Sequence, residues 1–214
     1  MKKLRPLKAL YKVLYYIVFF IAMVLVRLVY PIKAVGRENL VRGRGFLLAP
    51  NHLFAIDPMY VLLARGFGKK MLIMGKEELF EINGLLNFFW AIAGAFPVER
   101  GTGDRSAVNT AVEEVKAGRG LLIFPEGTRS KTGEMGRLKS GAFVVAMEAE
   151  ADIVPCHICY KAGSPKPFRR ITVSFGAPLA PSQLGLVGEY NAAKLREAKK
   201  MLAEQIDLLA LPCR

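Results

Sequence analysis

The sequence predicts an α/β fold: a central sheet, mainly parallel or mixed, flanked by helices, with an N-terminal membrane-associated helical segment. Short apolar runs of strand length alternate with stretches of helical periodicity, the pattern of a sheet covered on both faces. Polar loops containing Gly, Pro, Asn and Asp follow several of these runs directly. The opening residues are basic and then apolar, a composition that ends at Pro31.

The elements follow in order. Residues 45–49 are an apolar run broken by Pro50, Asn51 and the Asp57-Pro58 pair, which reads as strand, loop and helix. Asp57 followed by Pro58 fits an N-cap with proline at the first helical position. Met59, Leu62, Leu63 and Phe67 then recur at helical spacing until Gly66 and Gly68 loosen the end. Residues 71–74 form a second short strand, and 79–96, with the only tryptophan at Trp90, reads as a helix leading to a strand at 95–98. Asp104 or Ser106 caps a helix whose Val108, Ala111, Val112 and Val115 share a face; Gly118 and Gly120 close it before a buried strand at 121–124. Residues 143–148 read as helix, and 153–160 and 171–175 as strands, the second alternating as Ile171, Val173, Phe175. Leu195, Ala198, Leu202, Ile206 and Leu209 step by three and four, making an amphipathic C-terminal helix.

A chain of 214 residues holds one domain and a short appendage. With 52% apolar and 23% charged residues it is neither disordered nor collagen-like nor a disulfide scaffold. The charge balance is less ordinary: 31 Lys and Arg against 18 Asp and Glu leave +13, which calls for a polyanionic partner such as nucleic acid, anionic lipid or an acidic carrier or substrate. Three cysteines make no disulfide framework and fit a reducing compartment.

The N-terminus favours lipid among these partners. Lys2, Lys3, Arg5, Lys8 and Lys12 come without an acid, and 13–26 then runs uncharged through Tyr15, Tyr16, Phe19 and Phe20. That stretch is shorter than the roughly 20 residues of a spanning helix, although snorkelling of Arg27 extends it to Pro31. Spanning and in-plane insertion both stay open. Residues 23–27 offer no small-residue cleavage site, against a secretory signal. Because a single span would send the rest of the chain outside, a helix or helix pair dipping into the cytoplasmic face of the cell membrane is expected. Residues 1–32 are read as this region and 33–214 as the main domain.

Four motifs carry chemistry. Asn51-His52-Leu53-Phe54-Ala55-Ile56-Asp57 lies between a strand end and a helix start, where α/β folds assemble their sites. On a continuous helix His52 and Asp57 would stand about 140° apart, so they meet only across a turn. A carboxylate on Nδ1 would fix the tautomer and leave Nε2 as a base. Phe124-Pro125-Glu126-Gly127-Thr128-Arg129-Ser130 follows a buried strand and suits a phosphate: Arg129 offers a fork of donors and Gly127 permits close backbone approach. Gly94 to Arg100 delivers a second arginine at the end of an apolar run. Lys139 precedes a helix N-terminus and, with Lys76, is a further candidate for holding an anion.

In this order and with these spacings the chain resembles the glycerolipid acyltransferase superfamily, specifically its bacterial lysophosphatidate acyltransferases. The matching blocks are His52-x4-Asp57, the block ending in Arg100, Phe124 to Ser130, and the Ile153-Val154-Pro155 strand; together they cover 46–175. Leu53, Phe54 and Ile56 make the first block unusually apolar. The resemblance implies acyl transfer from a thioester, of acyl carrier protein or coenzyme A, to the free sn-2 hydroxyl of lysophosphatidate, giving phosphatidate. It implies no metal, no cofactor besides the thioester co-substrate, and no covalent acyl-enzyme. His52 would be the base and Asp57 its orienting partner. Arg100, Glu126, Gly127, Thr128 and Arg129 would hold the acceptor's phosphate and glycerol, Glu126 bonding a hydroxyl or orienting an arginine. Residues 33–214 become the acyltransferase domain.

Two rival readings remain. A related acyltransferase would act on another lysolipid, such as a lyso-ornithine lipid. A basic membrane-peripheral or nucleic-acid-binding protein would explain the charge, but its aromatics should be interleaved with exposed basic residues; here they cluster in apolar runs, and no nucleic acid is expected. Cys156 and Cys159 stand three apart on a strand and point to opposite faces, so they are read as packing residues. His157 is read as a strand-packing or surface histidine.

Overall fold

The computed structural model describes residues 17, 20–21, 23–66, 71–76, 95–98, 105–130, 132–188 and 191–210. Among the described residues seven strands form one sheet: β1 (Ile32–Val35), β2 (Phe46–Pro50), β3 (Leu72–Lys76), β4 (Ala95–Val98), β5 (Gly120–Leu122), β6 (Ile153–Tyr160) and β7 (Ile171–Phe175). Their order is β1-β7-β6-β2-β5-β3-β4. From β6 to β4 all neighbours are parallel. β7 runs antiparallel to β6, and β1 parallel to β7, so the sheet is mixed. Among the described residues the helices α1 (Asp57–Arg65), α2 (Arg105–Lys116), α3 (Gly141–Glu148) and α4 (Ala192–Leu208) accompany it, besides a helical stretch over 23–29.

The central strands are apolar on both faces because both faces are covered. Along β2, Phe46 and Leu48 enter one core and Leu47 and Ala49 the other. Leu47, Ala49, Leu121 and Ile153 pack with Ala111, Val112 and Val115 of α2, with α3, and with Leu195, Ala198, Leu202 and Ile206 of α4. On the opposite face Leu48, Leu122, Val154 and Ile158 meet Tyr60, Val61, Leu63 and Ala64 of α1. The expected spacing on α2 and α4 is thus the spacing of their buried faces. β6 and β7 keep their expected bounds; the strand expected at 121–124 is instead β5, from Gly120 to Leu122, with the Ile123 amide still donating to the Leu48 carbonyl of β2 at 3.0 Å before the polar loop begins.

Three features depart from the sequence reading. Asp57 does not cap α1: Ile56 holds the N-cap position and Asp57 opens the helix, its side chain turned back to the preceding loop. β1 was not anticipated; its four residues pair with β7 at the sheet edge. Arg27, read as a snorkelling residue, is exposed and also bonded to the fold: its guanidinium donates to the Leu63 carbonyl at 3.0 Å, while Arg37 donates to Ala64 at 2.5 Å. Two cations therefore serve the C-terminal carbonyls of α1, where the helix dipole favours positive charge.

Residues 23–29 are helical and carry two apolar faces. Met23, Val26 and Tyr30 pack against the core that holds α1. Ile17, Phe20, Ile21, Val24, Leu25 and Leu28 recur at helical spacing on an exposed stripe. Among the described residues no helix is long and apolar enough to cross a membrane. The helix expected in 79–96 lies outside the described residues up to β4, as do the lysines of the first twelve positions.

Candidate active site

Five parallel strands, β4, β3, β5, β2 and β6, end at one edge of the sheet, the edge at which such folds place ligands. β2 leads there to His52, β5 to the Phe124 to Ser130 loop, and β6 ends there at Tyr160. Lys76 is the last residue of β3. Arg100 lies outside the described residues.

Local chemistry explains how His52 leaves the sheet. Pro50 has no N–H for the ladder, and beyond it the Asn51 side chain takes over the pairing. Its Nδ2 donates to the Ile158 carbonyl at 3.3 Å and its Oδ1 accepts from the Ile158 amide at 2.7 Å. The main chain is thereby released from β6 into a turn, which α1 closes with Pro58 in its first turn.

Within this turn His52 Nδ1 lies 2.9 Å from Asp57 Oδ2. The same oxygen accepts from the amides of Leu53 at 2.6 Å and Phe54 at 2.8 Å. The other oxygen, Oδ1, accepts from the hydroxyl of Tyr160. Asp57 has no solvent exposure and His52 only 12% of its side chain, so the carboxylate depends wholly on these donors. The imidazole stacks on Phe124 with centroids 3.9 Å apart. With Nδ1 occupied, Nε2 has no hydrogen-bond partner among the described residues. The geometry thus brings together the pair that sequence spacing allowed only across a turn.

The second loop is bound to the first. Glu126 is buried, and its Oε1 accepts from the His52 amide at 2.8 Å while Oε2 accepts from the Gly136 amide at 2.7 Å. Both oxygens therefore act on main chain, placing one loop against the other. The Ser130 amide donates to the His52 carbonyl at 2.8 Å, one residue after Arg129. Gly127 has φ 69, and a Cβ there would stand 2.8 Å from Lys139 Cδ. Glycine at this position thus admits both the left-handed turn and the lysine stem. Lys139 also donates its amide to the Pro125 carbonyl at 2.7 Å. Thr128, Arg129 and Lys139 are exposed around this loop.

Tyr160 and Asn51 were not singled out as site residues from the sequence. Both act across about a hundred positions of chain, and no local spacing signals such contacts. Beside the dyad opens a cleft of about 470 Å³ lined by Leu53, Phe54, His157, Cys159 and Tyr160 among others. Cys156, on the other face of β6 from Cys159, is buried, and burial together with Asp57 pushes its thiol up out of the nucleophilic range. His157 is held below the usual imidazole value, chiefly by burial. Among the described residues no group of three or more His, Cys, Asp or Glu side chains is arranged to hold a metal.

A histidine–aspartate pair and a Glu-Gly-Thr-Arg loop thus lie together at the strand ends of an α/β sheet. The chain belongs to the acyltransferase family, whose sequence profile matches residues 31–159. It is 33% identical over 129 residues to the 1-acyl-sn-glycerol-3-phosphate acyltransferase of Saccharomyces cerevisiae, covering 58% of this chain and 41% of that protein. To the Bacillus subtilis enzyme of the same name it is 34% identical over 127 residues, covering 58% and 60%. The chain thus spans less than two thirds of these relatives. Its fold is that of the crystal structure of the 1-acyl-sn-glycerophosphate acyltransferase PlsC from Thermotoga maritima, with a TM-score of 0.63 and 22% identity over 86% of this chain and 73% of that one.

The Asn51 side chain substitutes for two main-chain bonds, so Asn51→Ala leaves the Ile158 amide and carbonyl buried without partners. The expected loss is roughly 2–6 kcal/mol of stability at about 1–3 kcal/mol per unpaired group, read by denaturant unfolding. An unchanged midpoint would show that the ladder closes without the side chain.

Proposed function

We propose that this chain is a 1-acylglycerol-3-phosphate O-acyltransferase, moving a fatty acyl group from a thioester to the sn-2 hydroxyl of lysophosphatidate. The observation that carries this reading is the oriented His52–Asp57 pair with its free Nε2, bound through Glu126 to an arginine-bearing loop. The names of the relatives support the same substrates.

The chemistry follows from the geometry. An alcohol is a poor nucleophile at neutral pH, so His52 Nε2 takes its proton as the oxygen attacks the thioester carbonyl. Asp57 holds the imidazole and offsets its positive charge. The tetrahedral oxyanion, met by backbone N–H donors of the surrounding loops, collapses with cleavage of the C–S bond. The departing thiolate recovers the proton from His52, leaving phosphatidate and free thiol. The thioester is a co-substrate and the reaction calls for no metal or other cofactor. Arg129 and Arg100, with Lys76 and Lys139 as further cations, hold the acceptor's phosphate. Gly127 and Thr128 shape its approach, and Glu126 serves by fixing the loops. The donor is the thioester of acyl carrier protein or coenzyme A; both carry phosphate that suits the basic surface.

The exposed stripe from Ile17 to Leu28 supports placement in the plane of a membrane, and the basic residues of the N-terminal sequence favour its cytoplasmic face. Basic residues ahead of it would add attraction to anionic lipid.

Assay of membranes containing the protein, with lysophosphatidate and each thioester in turn, tests the activity. His52→Ala is expected to lower the rate by at least about 10² to 10⁴ while the protein folds and stays with membranes, and Asp57→Asn to be severely impaired. Near-parental activity in His52→Ala would overturn the mechanism, and turnover of another lysolipid alone would move the acceptor assignment.

Arg129→Ala is expected to raise KM for lysophosphatidate roughly tenfold to a hundredfold, the scale of one charge-assisted contact, with little change for the thioester. A rise confined to the thioester would make Arg129 a donor-binding residue.

The two-faced helix gives a paired test. Leu25→Asp with Leu28→Asp should release the protein from anionic vesicles, each side chain contributing about 1.5–3 kcal/mol of apolar burial, and leave Tm in detergent unchanged. Val26→Asp, on the packed face, should lower Tm. Full vesicle binding by the double variant would show that this stripe is not the anchor.

A further inference from the structure

The two oxygens of Asp57 serve different parts of the fold. Oδ2 collects His52 Nδ1 and the amides of Leu53 and Phe54, all from the turn that carries the base. Oδ1 is bonded by the Tyr160 hydroxyl, which comes from the last residue of β6, 103 positions away. This phenol is buried, with Phe54 edge-on to its ring at 4.9 Å and Tyr60 at 6.0 Å. None of the sequence blocks that mark the site includes it.

We propose that Tyr160 is a positioning residue for the acyl transfer proposed above: its hydroxyl, donated to Asp57 Oδ1, fixes the carboxylate's rotation and sets the basicity of His52. The inference rests on that reading for its purpose, but not for its measurement. A carboxylate turns easily about its last torsion, and donors on one oxygen alone leave the other edge unrestrained. Tyr160 holds that edge from a different strand, so the plane facing His52 is fixed from two sides. The same bond draws negative charge toward Oδ1 and away from the imidazole, which tunes how strongly Asp57 stabilises the imidazolium. Phenylalanine would fill the same space, so packing alone does not explain a buried hydroxyl.

The neighbours leave this role to Tyr160. Burial first, and then the charge of Asp57, hold its phenol far above the ordinary tyrosine value, so it stays a donor across the neutral range. Tyr60 on α1 also faces Asp57; its hydroxyl has no partner among the described residues and is pushed up to about 12, mainly by burial. Cys156 on β6 is pushed up as well and stays neutral. Glu126 meets His52 at the main chain, and Phe124 covers its ring without charge.

The chain has two histidines, so ¹⁵N-histidine NMR of the full protein in detergent, without substrate, reads His52 directly; His157→Gln assigns the signals. Tyr160→Phe is expected to raise the His52 titration midpoint by about 0.5–1 pH unit, and the acid limb of kcat/KM should move up with it. 3-Fluorotyrosine at position 160, a more acidic phenol of nearly the same shape, should move both down. A tyrosine that only packs would give no opposed shifts. An unchanged or lowered midpoint in the phenylalanine variant, or no downward shift with fluorotyrosine, overturns the proposal. Should the phenylalanine variant fail to fold, the fluorinated chain decides alone. Because the NMR midpoint needs no turnover, this proposal and the acyl-transfer reading fail independently.

Discussion

The structure around the site depends on one requirement: a carboxylate with no contact with solvent must be given donors. Asp57 would be expensive to bury alone, since the effective penalty for an unpaired ion is several kcal/mol. Its donors are His52 Nδ1, the amides of Leu53 and Phe54, and the Tyr160 hydroxyl. Three of these come from one short turn, and that turn can form only if the chain leaves the sheet at the residue before His52. Pro50 ends the regular ladder, Asn51 replaces it, and Asp57 begins a helix whose N-terminal end favours negative charge. Each choice in the Pro50 to Pro58 segment therefore answers the same demand.

The second loop is fixed by a carboxylate used in another way. Glu126 bonds the amides of His52 and Gly136, so its charge is distributed over two main-chain segments. With the Ser130 amide on the His52 carbonyl and the Lys139 amide on Pro125, the loop is bound at both ends to the segments beside it. Arg129 is left exposed on a backbone that is itself held. On the proposed function, an exposed guanidinium on a held backbone suits an anion that must be admitted and then released.

Much of this was legible in the sequence because it is local. The spacing from His52 to Asp57, the Glu-Gly-Thr-Arg run and the apolar steps of α4 each lie within a few turns of chain, and periodicity or turn chemistry reports them. Tyr160 and Asn51 were not legible as site residues, since what matters about each is a partner across the sheet and the strand pattern of 153–160 would be the same with any apolar residue at its end. Glu126 was read by its charge as facing a ligand or an arginine, whereas the fold turns it toward amides that have no side-chain identity to betray them. Asp57 looked like a cap because an acid before proline usually is one; burial turned it backward. Of the cations, Arg100 lies outside the described residues.

The apolar helix at the N-terminus raises the last point, because its two faces connect the proposed membrane contact to the chemistry. Met23, Val26 and Tyr30 join the core that contains Tyr60 and Val61 of α1, and Tyr30 meets Tyr60 with ring centroids 5.7 Å apart. Arg27 adds a bond to the far end of α1. The first residue of α1 is Asp57. The exposed stripe and the dyad are therefore joined through one packed helix rather than through a linker. On the acyl-transfer reading this matters, because the acceptor is an amphiphile whose hydroxyl lies at a fixed depth near the headgroups. A base carried on a flexible tether would meet that hydroxyl over a range of heights; with the exposed stripe seated in lipid as proposed, a base packed one helix away would meet it at one. Orientation of this kind lowers the barrier by removing freedom before the reaction begins.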